Sequence, residues 1–234
     1  MTKKIIGLVI TTTLLFSLAG CGSNEKQKTA DEGTKKAEIN IDNQKQFKDL
    51  KGDWIRDFTH DEFVDKSNSL MTSIEDKTKE FGLDYKKEDK VEQIDGVTAN
   101  IKSIYLDNKN PEANKLESMQ FQSQLLGDAQ DSGRLQLKLS LKFDGEGAIK
   151  DDKFNLGDTS IAKYAAIMTG VQDRNYDDIN KKIMDIIKSD KKEGIIEDNI
   201  NGLAEEFAVS KDYIVYTLST KVYKFVEKTN EGIK

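Results

Sequence analysis

The chain has 234 residues, 36% of them hydrophobic and 33% charged, with a formal net charge of −6. That balance allows one packed domain of ordinary size, or two small ones, under a densely charged surface. The acid excess argues against bulk-charge binding to nucleic acid or to anionic cell-wall polymers, which needs a basic face, and leaves room for a local basic patch. One cysteine and one histidine exclude the usual His/Cys zinc sites.

Lys3 and Lys4 precede an apolar run from Ile5 to Leu18, and the run ends in Leu18-Ala19-Gly20-Cys21. It is roughly 14 residues long, short of the about 20 that a helix needs to cross a bilayer. A charged start, a short apolar middle and small residues before a cut point form an export signal, not a structural helix. The end of the run resembles the lipobox of bacterial lipoproteins, in which Leu, Ala and Gly precede an obligatory Cys. Leu18, Ala19, Gly20 and Cys21 match all four positions.

The resemblance implies that the Cys21 thiol receives a diacylglycerol, that residues 1–20 are removed, and that Cys21 becomes the lipidated first residue. It also implies residence at the cell membrane, on the extracytoplasmic side, with the membrane as a partner through Cys21. Loss of Lys3 and Lys4, with no acid lost, takes the net side-chain charge from −6 to −8. With Cys21 consumed by lipid no disulfide forms, although such a compartment is oxidising. The abundance of Lys, Asn, Asp and Ile suits an AT-rich, Gram-positive source. Leu15-Phe16-Ser17-Leu18-Ala19-Gly20 further resembles the short hydrophobic peptides that enterococci release from lipoprotein signals as mating pheromones. That likeness implies a second product, the signal fragment itself.

Residues 21–46 read as the lipidated Cys and a disordered tether. Gly22 to Gln46 contains no aromatic residue and is dominated by Lys, Glu, Asn, Thr and Gly. Such a tract cannot bury enough apolar surface to offset chain entropy, and it spans about 25–30 Å root-mean-square. The folded domain is expected over 47–234.

Phe47, Leu50, Trp54, Ile55 and Phe58 open that domain with an apolar cluster. Gly52-Asp53-Trp54 resembles the G-x-W that opens lipocalin-like barrels, but the helices that follow do not fit an eight-strand barrel, and Trp54 reads as a core aromatic. Thr59-His60-Asp61-Glu62 has the T-x-x-E form of a capping box. Phe63, Leu70, Met71, Ile74 and Phe81 then recur at helical spacing, predicting a helix over 60–81 that Gly82 stops.

Asp95-Gly96, between Ile94 and Val97, predicts a type I′ hairpin with an outgoing strand over 97–106. After a loop at 108–111, a strand is expected over 116–126, with Met119, Phe121 and Leu125 on one face. The strand over 134–143 alternates most clearly. Leu135, Leu137, Leu139, Leu141 and Phe143 face one way, and Gln136, Lys138, Ser140 and Lys142 the other, giving one buried and one wet face.

Asp158, Thr159 and Ser160 offer caps for a helix carrying Ile161, Tyr164, Ala165 and Met168 and ending at Gly170. Asn175 caps a second, with Asp177 and Asp178 at its start and Lys188 near its end, as the helix dipole favours; Ile179, Ile183, Ile186 and Ile187 form its apolar face. Strands over 203–209 and 213–226 complete an order of roughly αββββααββ. The expected class is α+β, an antiparallel sheet with helices covering one face.

Chemical motifs are few. His60 sits at the first position of a helix, where a surface role is expected, and no G-x-S-x-G elbow accompanies it. Ser160-Ile161-Ala162-Lys163 matches the S-x-x-K of penicillin-binding proteins and β-lactamases. The spacing recurs at Ser189-Asp190-Lys191-Lys192, Lys228-Thr229-Asn230 lacks the glycine of K-T-G, and S-D-N is absent. A helix cap and a solvated lysine are the simpler reading. Glu197-Asp198-Asn199-Ile200-Asn201-Gly202 resembles the start of an EF-hand loop, but its twelfth position is Ala208 and its first is not Asp. Asp151-Asp152 and Asp177-Asp178 read as cap or surface charges, and Gly145-Glu146-Gly147 is too short for a phosphate loop. No catalytic residue, metal ligand or cofactor is assigned. The expected role is binding to an envelope protein or a ligand, the alternative an enzyme using carboxylates or Ser160 and Lys163.

Overall fold

The computed structural model describes residues 50–227; the signal, the lipobox with Cys21, and the tether lie outside them. After a 3-10 turn at Asp53–Ile55 come α1 (His60–Glu80), β1 (Lys86–Ile94), β2 (Val97–Asp107), β3 (Lys115–Leu126) and β4 (Ser132–Lys142). The chain continues through α2 (Gly145–Asp151), α3 (Ser160–Thr169), α4 (Asp177–Lys188), β5 (Glu193–Ile200), β6 (Leu203–Ser210), β7 (Tyr213–Ser219) and β8 (Tyr223–Lys224). The class is α+β, with an antiparallel sheet of order β1-β2-β3-β4-β7-β6-β5 and β8 paired to β4. Relative to the expected αββββααββ, the described residues add the short α2 and the strands β5 and β8.

Local chemistry sets the ends of these elements. Thr59 Oγ1 accepts from the Glu62 N–H at 3.3 Å and Glu62 Oε2 accepts from the Thr59 N–H at 2.9 Å, the reciprocal capping box at the start of α1. Phe63, Ser67, Leu70, Ile74 and Thr78 form its buried stripe. At the β1–β2 turn Asp95 and Gly96 have φ of 51° and 79°, the two positive values that a type I′ turn needs.

β4 lies at the centre of the sheet. Leu135, Leu137, Leu139 and Leu141 are fully buried, whereas Lys138 and Lys142 are exposed. Phe121, Leu137 and Leu218 stand side by side in one row, and Met119, Leu139, Tyr216 and Phe207 in the next. These residues share one cluster with Phe63 and Ile74 of α1, Ile161 and Tyr164 of α3, and Ile183 and Ile187 of α4. β2 serves two clusters: Ile104 and Leu106 join the main one, while Val97, Ala99 and Ile101 form a smaller one with Leu126.

The strand expected over 213–226 is interrupted. Thr220 replaces the ladder, its N–H donating to the Leu135 carbonyl at 3.1 Å and its Oγ1 accepting from the Leu135 N–H at 3.0 Å. Tyr223 then pairs with Gly133, so Lys221 and Val222 stand opposite Arg134 alone. A two-against-one bulge shifts the alternation by one residue. Leu218 and Tyr223 accordingly both reach the main cluster, and Val222 the smaller one.

The entry to the domain is clamped by the β5–β6 turn. Trp54 donates its backbone N–H to the Asn201 carbonyl at 3.2 Å and its indole Nε1–H to the Met168 carbonyl at 3.1 Å. Asn201 in turn accepts from the Asp53 N–H at 2.9 Å and donates to the Thr169 carbonyl at 2.9 Å. Tyr223 Oη donates to the Trp54 carbonyl at 2.7 Å. Gly52 has φ of 136°, and a Cβ there would lie 2.2 Å from the Asn201 carbonyl carbon, so this contact admits only glycine.

Leu139→Asp should unfold the domain in urea titration, since it forces an unpaired carboxylate into the core at a cost of several kcal/mol, while Lys138→Asp should change stability by less than about 0.5 kcal/mol. Glu75 of α1 accepts from Tyr85 Oη at 2.6 Å and pairs with Lys87 and Lys79. Hydrogen bonds first from Lys87, then from Tyr85 and Lys79, hold its carboxyl at about 2 rather than 4.5. A lowered pKa means stability present above 4.5 and lost as pH falls towards 2. Glu75→Gln should remove that part of the acid-unfolding curve and leave the curve above it parallel to the parent's.

Candidate binding cleft

On β6 the residues Leu203, Glu205, Phe207 and Val209 share one face, and all four are buried. Glu205 is therefore an acid in a core position, directly beside Leu218 in the ladder. Its carboxylate is fully satisfied from two sides. Arg174 Nη1 donates to Oε1 at 2.5 Å and Nη2 to Oε2 at 2.7 Å, and Tyr216 Oη donates to Oε1 at 2.7 Å. A two-pronged guanidinium–carboxylate pair fixes direction as well as charge.

Arg174 lies in the connection between α3 and α4. Its guanidinium carbon sits 4.8 Å from the centre of the Tyr176 ring, and Nη2 lies 3.8 Å from Asp198 of β5. Burial alone would lower its pKa, but the hydrogen bonds and charge of Glu205 outweigh that and hold it above the ordinary value. Burial, and next the Glu205 charge, push the Tyr216 phenol well above its usual range. The guanidinium is thus held charged and the phenol neutral, as a donor.

Above this network is a cleft of about 170 Å³. Lys77 of α1, Lys163 of α3, and Gln172, Arg174 and Tyr176 of the connection line it, together with the small side chains of Ala162 and Ala166. Three of its lining residues are cationic and none is acidic. Lys77 pairs with Glu80 at 2.5 Å, and the Glu80 side chain is 65% exposed. A second, more open depression of about 330 Å³ mixes Lys115 and Lys153 with Asp158 and presents no single sign of charge.

Ser160 and Lys163 are not assembled as a nucleophile and its base. Ser160 is the first residue of α3, behind the cap residue Thr159. Its Oγ is buried with no hydrogen-bond partner, while Lys163 points to the exposed side and lines the cleft. His60 is exposed, 3.4 Å from Asp61. The segment compared with an EF-hand is β5 and its turn: Asn201 and Gly202 have φ of 51° and 86°, a second type I′ hairpin. Asp177 and Asp178 lie in the first turn of α4, where the Asn175 Oδ1 accepts from the Asp177 N–H at 2.6 Å. Asp152 ends α2 and pairs with Lys188, and Gly145-Glu146-Gly147 opens α2 under the cap of Asp144. Among the described residues no group of three or more His, Cys, Asp or Glu side chains is placed to hold a metal. Leu18, Ala19, Gly20 and Cys21 lie outside the described residues.

No protein-family model, curated protein or solved structure matches the chain. The site therefore rests on its own geometry.

Arg174 and Glu205 are the residues that motif reading passes over. The signal for Glu205 is nevertheless present: in the alternation of Leu203, Glu205, Phe207 and Val209, an acid stands where an apolar residue belongs. An inward acid demands a buried cation, though not which one.

Arg174→Met should cost about 3–5 kcal/mol in urea unfolding, because it strands a buried carboxylate. The double variant Arg174→Met/Glu205→Leu should recover most of that loss, and a double-mutant cycle measures the coupling.

Proposed function

We propose that the chain is a lipid-anchored extracytoplasmic lipoprotein that works by binding at the cell envelope. The observation that carries the reading is Leu18-Ala19-Gly20-Cys21 at the end of a charged, short apolar signal. Each buried methylene contributes about 0.8 kcal/mol, and one chain anchors only marginally; a diacylglycerol on Cys21 brings two. In this reading residues 1–20 are removed, 21–46 form the tether and 47–234 the domain. The helices lie against one face of the sheet, and the polar side chains of Gln120, Gln136 and Lys138 mark the other.

Binding is favoured over catalysis by the character of the cleft. One of its cations, Arg174, is fixed by the Glu205 pair, and the Ser160 hydroxyl that an S-x-x-K mechanism would use has no base bonded to it. Among the described residues no helix is long and apolar enough to cross a membrane.

Cys21→Ser should abolish incorporation of labelled palmitate and shift the protein from the membrane fraction to the medium or to an uncut precursor. A processed Cys21→Ser protein that still partitions quantitatively with membranes would overturn the anchoring.

A further inference from the structure

We infer that the cleft between α1 and α3 binds a small carboxylate with an apolar body, held by Arg174, Lys163 and Lys77 beside the Tyr176 ring. The inference rests on the binding reading above and gives that reading a site and a ligand class.

A guanidinium carries five N–H donors. Glu205 takes two of those of Arg174, and Tyr176 and Asp198 lie against others, so at most two remain on a group that is already immobilised and charged. Fixing a donor in advance removes part of the ordering cost that a ligand would otherwise meet. The Arg174 charge is balanced by Glu205, however, so the attraction must come from the lysines. Lys163 has no ion-pair partner among the described residues. Lys77 has one ion-pair partner among them, the exposed Glu80, and lies 5.9 Å from the centre of the Phe81 ring; a surface pair of this kind is weak and readily exchanged. One unmatched cation and one exchangeable cation suit a single negative charge.

The other walls select the body of the ligand. Ala162, Ala166 and Ile167 of α3 and the Tyr176 ring are apolar, so a bare, fully hydrated ion would leave half of the cleft unused. The volume of about 170 Å³ is close to the ~150 Å³ of an apolar cavity that takes up a benzene ring. That is room for one ring or a short branched chain. In a chain that is acidic overall, a cleft whose charged lining is wholly cationic also focuses anions locally.

The test uses the isotopically labelled mature chain titrated with benzoate, with its neutral counterpart benzamide, and with inorganic phosphate, read by amide chemical shifts. Benzoate should give saturable shifts at Gly157, Ala166 and Gln172, with benzamide and phosphate each weaker by about tenfold or more, near 1.4 kcal/mol. Lys163→Glu, at an exposed position, should keep the spectrum of the fold and weaken benzoate by a similar factor, whereas Lys191→Glu should leave it unchanged. Equal binding of benzamide overturns the anion assignment, and phosphate as tight as benzoate overturns the carboxylate assignment. No saturable shift with benzoate, or saturable shifts confined to residues away from the cleft, overturns this site. In the latter case binding by the domain survives while this cleft does not, and membrane partition through Cys21 is unaffected in every case.

Discussion

β1 to β4 form one ladder through consecutive antiparallel pairs, and β5 to β7 form another. They become a single sheet only where β7 and β8 pair with β4. On the core side that seam is Leu137 beside Leu218, Leu139 beside Tyr216, and Leu141 beside Ile214, all fully buried. Each such side chain contributes about 1.5–3 kcal/mol on leaving water. The seam closes a long loop that contains α2, α3 and α4, and that closure has an entropic cost which local pairing does not meet. The helices on that loop then pack against the ladders they connect, α3 against β3 and β4 and α4 against β5 and β6. The position of the Arg174 connection follows from this arrangement, since it joins the helix on one ladder to the helix on the other.

Glu205 marks where the apolar seam ends. The row Phe121, Leu137, Leu218 continues across the ladder into Glu205, and an ion pair takes over from hydrocarbon. Buried ion pairs are weak contributors to stability compared with apolar replacements. What this one does is hold a loop arginine in one orientation at the edge of the core. Asn201 assists from the other side by accepting from Asp53 and donating to Thr169 at the end of α3, immediately before the same connection.

Those parts of the fold governed by strong local rules are legible in the sequence. The Thr59–Glu62 box, the Asp95-Gly96 turn and the leucine alternation of β4 each carry their own short-range signal. β5 is not legible because it is an edge strand with little alternation: Ile196 is buried but Ile195 is 65% exposed. Its Asn201-Gly202 turn is as good a hairpin signal as the first, hidden because the acidic run before it resembles a metal loop. α2 carries two glycines in seven residues and has little helical propensity to display. The break before β8 depends on a hydrogen bond that the Thr220 side chain accepts from the Leu135 N–H of β4, far away in sequence, which no local pattern contains. The cleft was legible only in one particular, the inward acid at Glu205, because pairing it with Arg174 requires knowing which loop crosses β6. Lys163, noticed as half of a catalytic motif, belongs to the cleft for a different reason, its charge.

The attachment at Gly52 to Ile55 has a mechanical meaning. Trp54 is held at once by the β5–β6 turn, by the end of α3 and by Tyr223 of β8, segments far apart along the chain. Lys221 adds a bond to the Ile55 carbonyl at 2.8 Å. Tension arriving from the N-terminal side is therefore shared among several parallel bonds instead of peeling one strand off an edge, pair after pair. Because Trp54 bonds to Met168 and Asn201 to Thr169, a load at the entry reaches the end of α3 and the connection that carries Arg174, so the point of attachment and the cleft are mechanically linked.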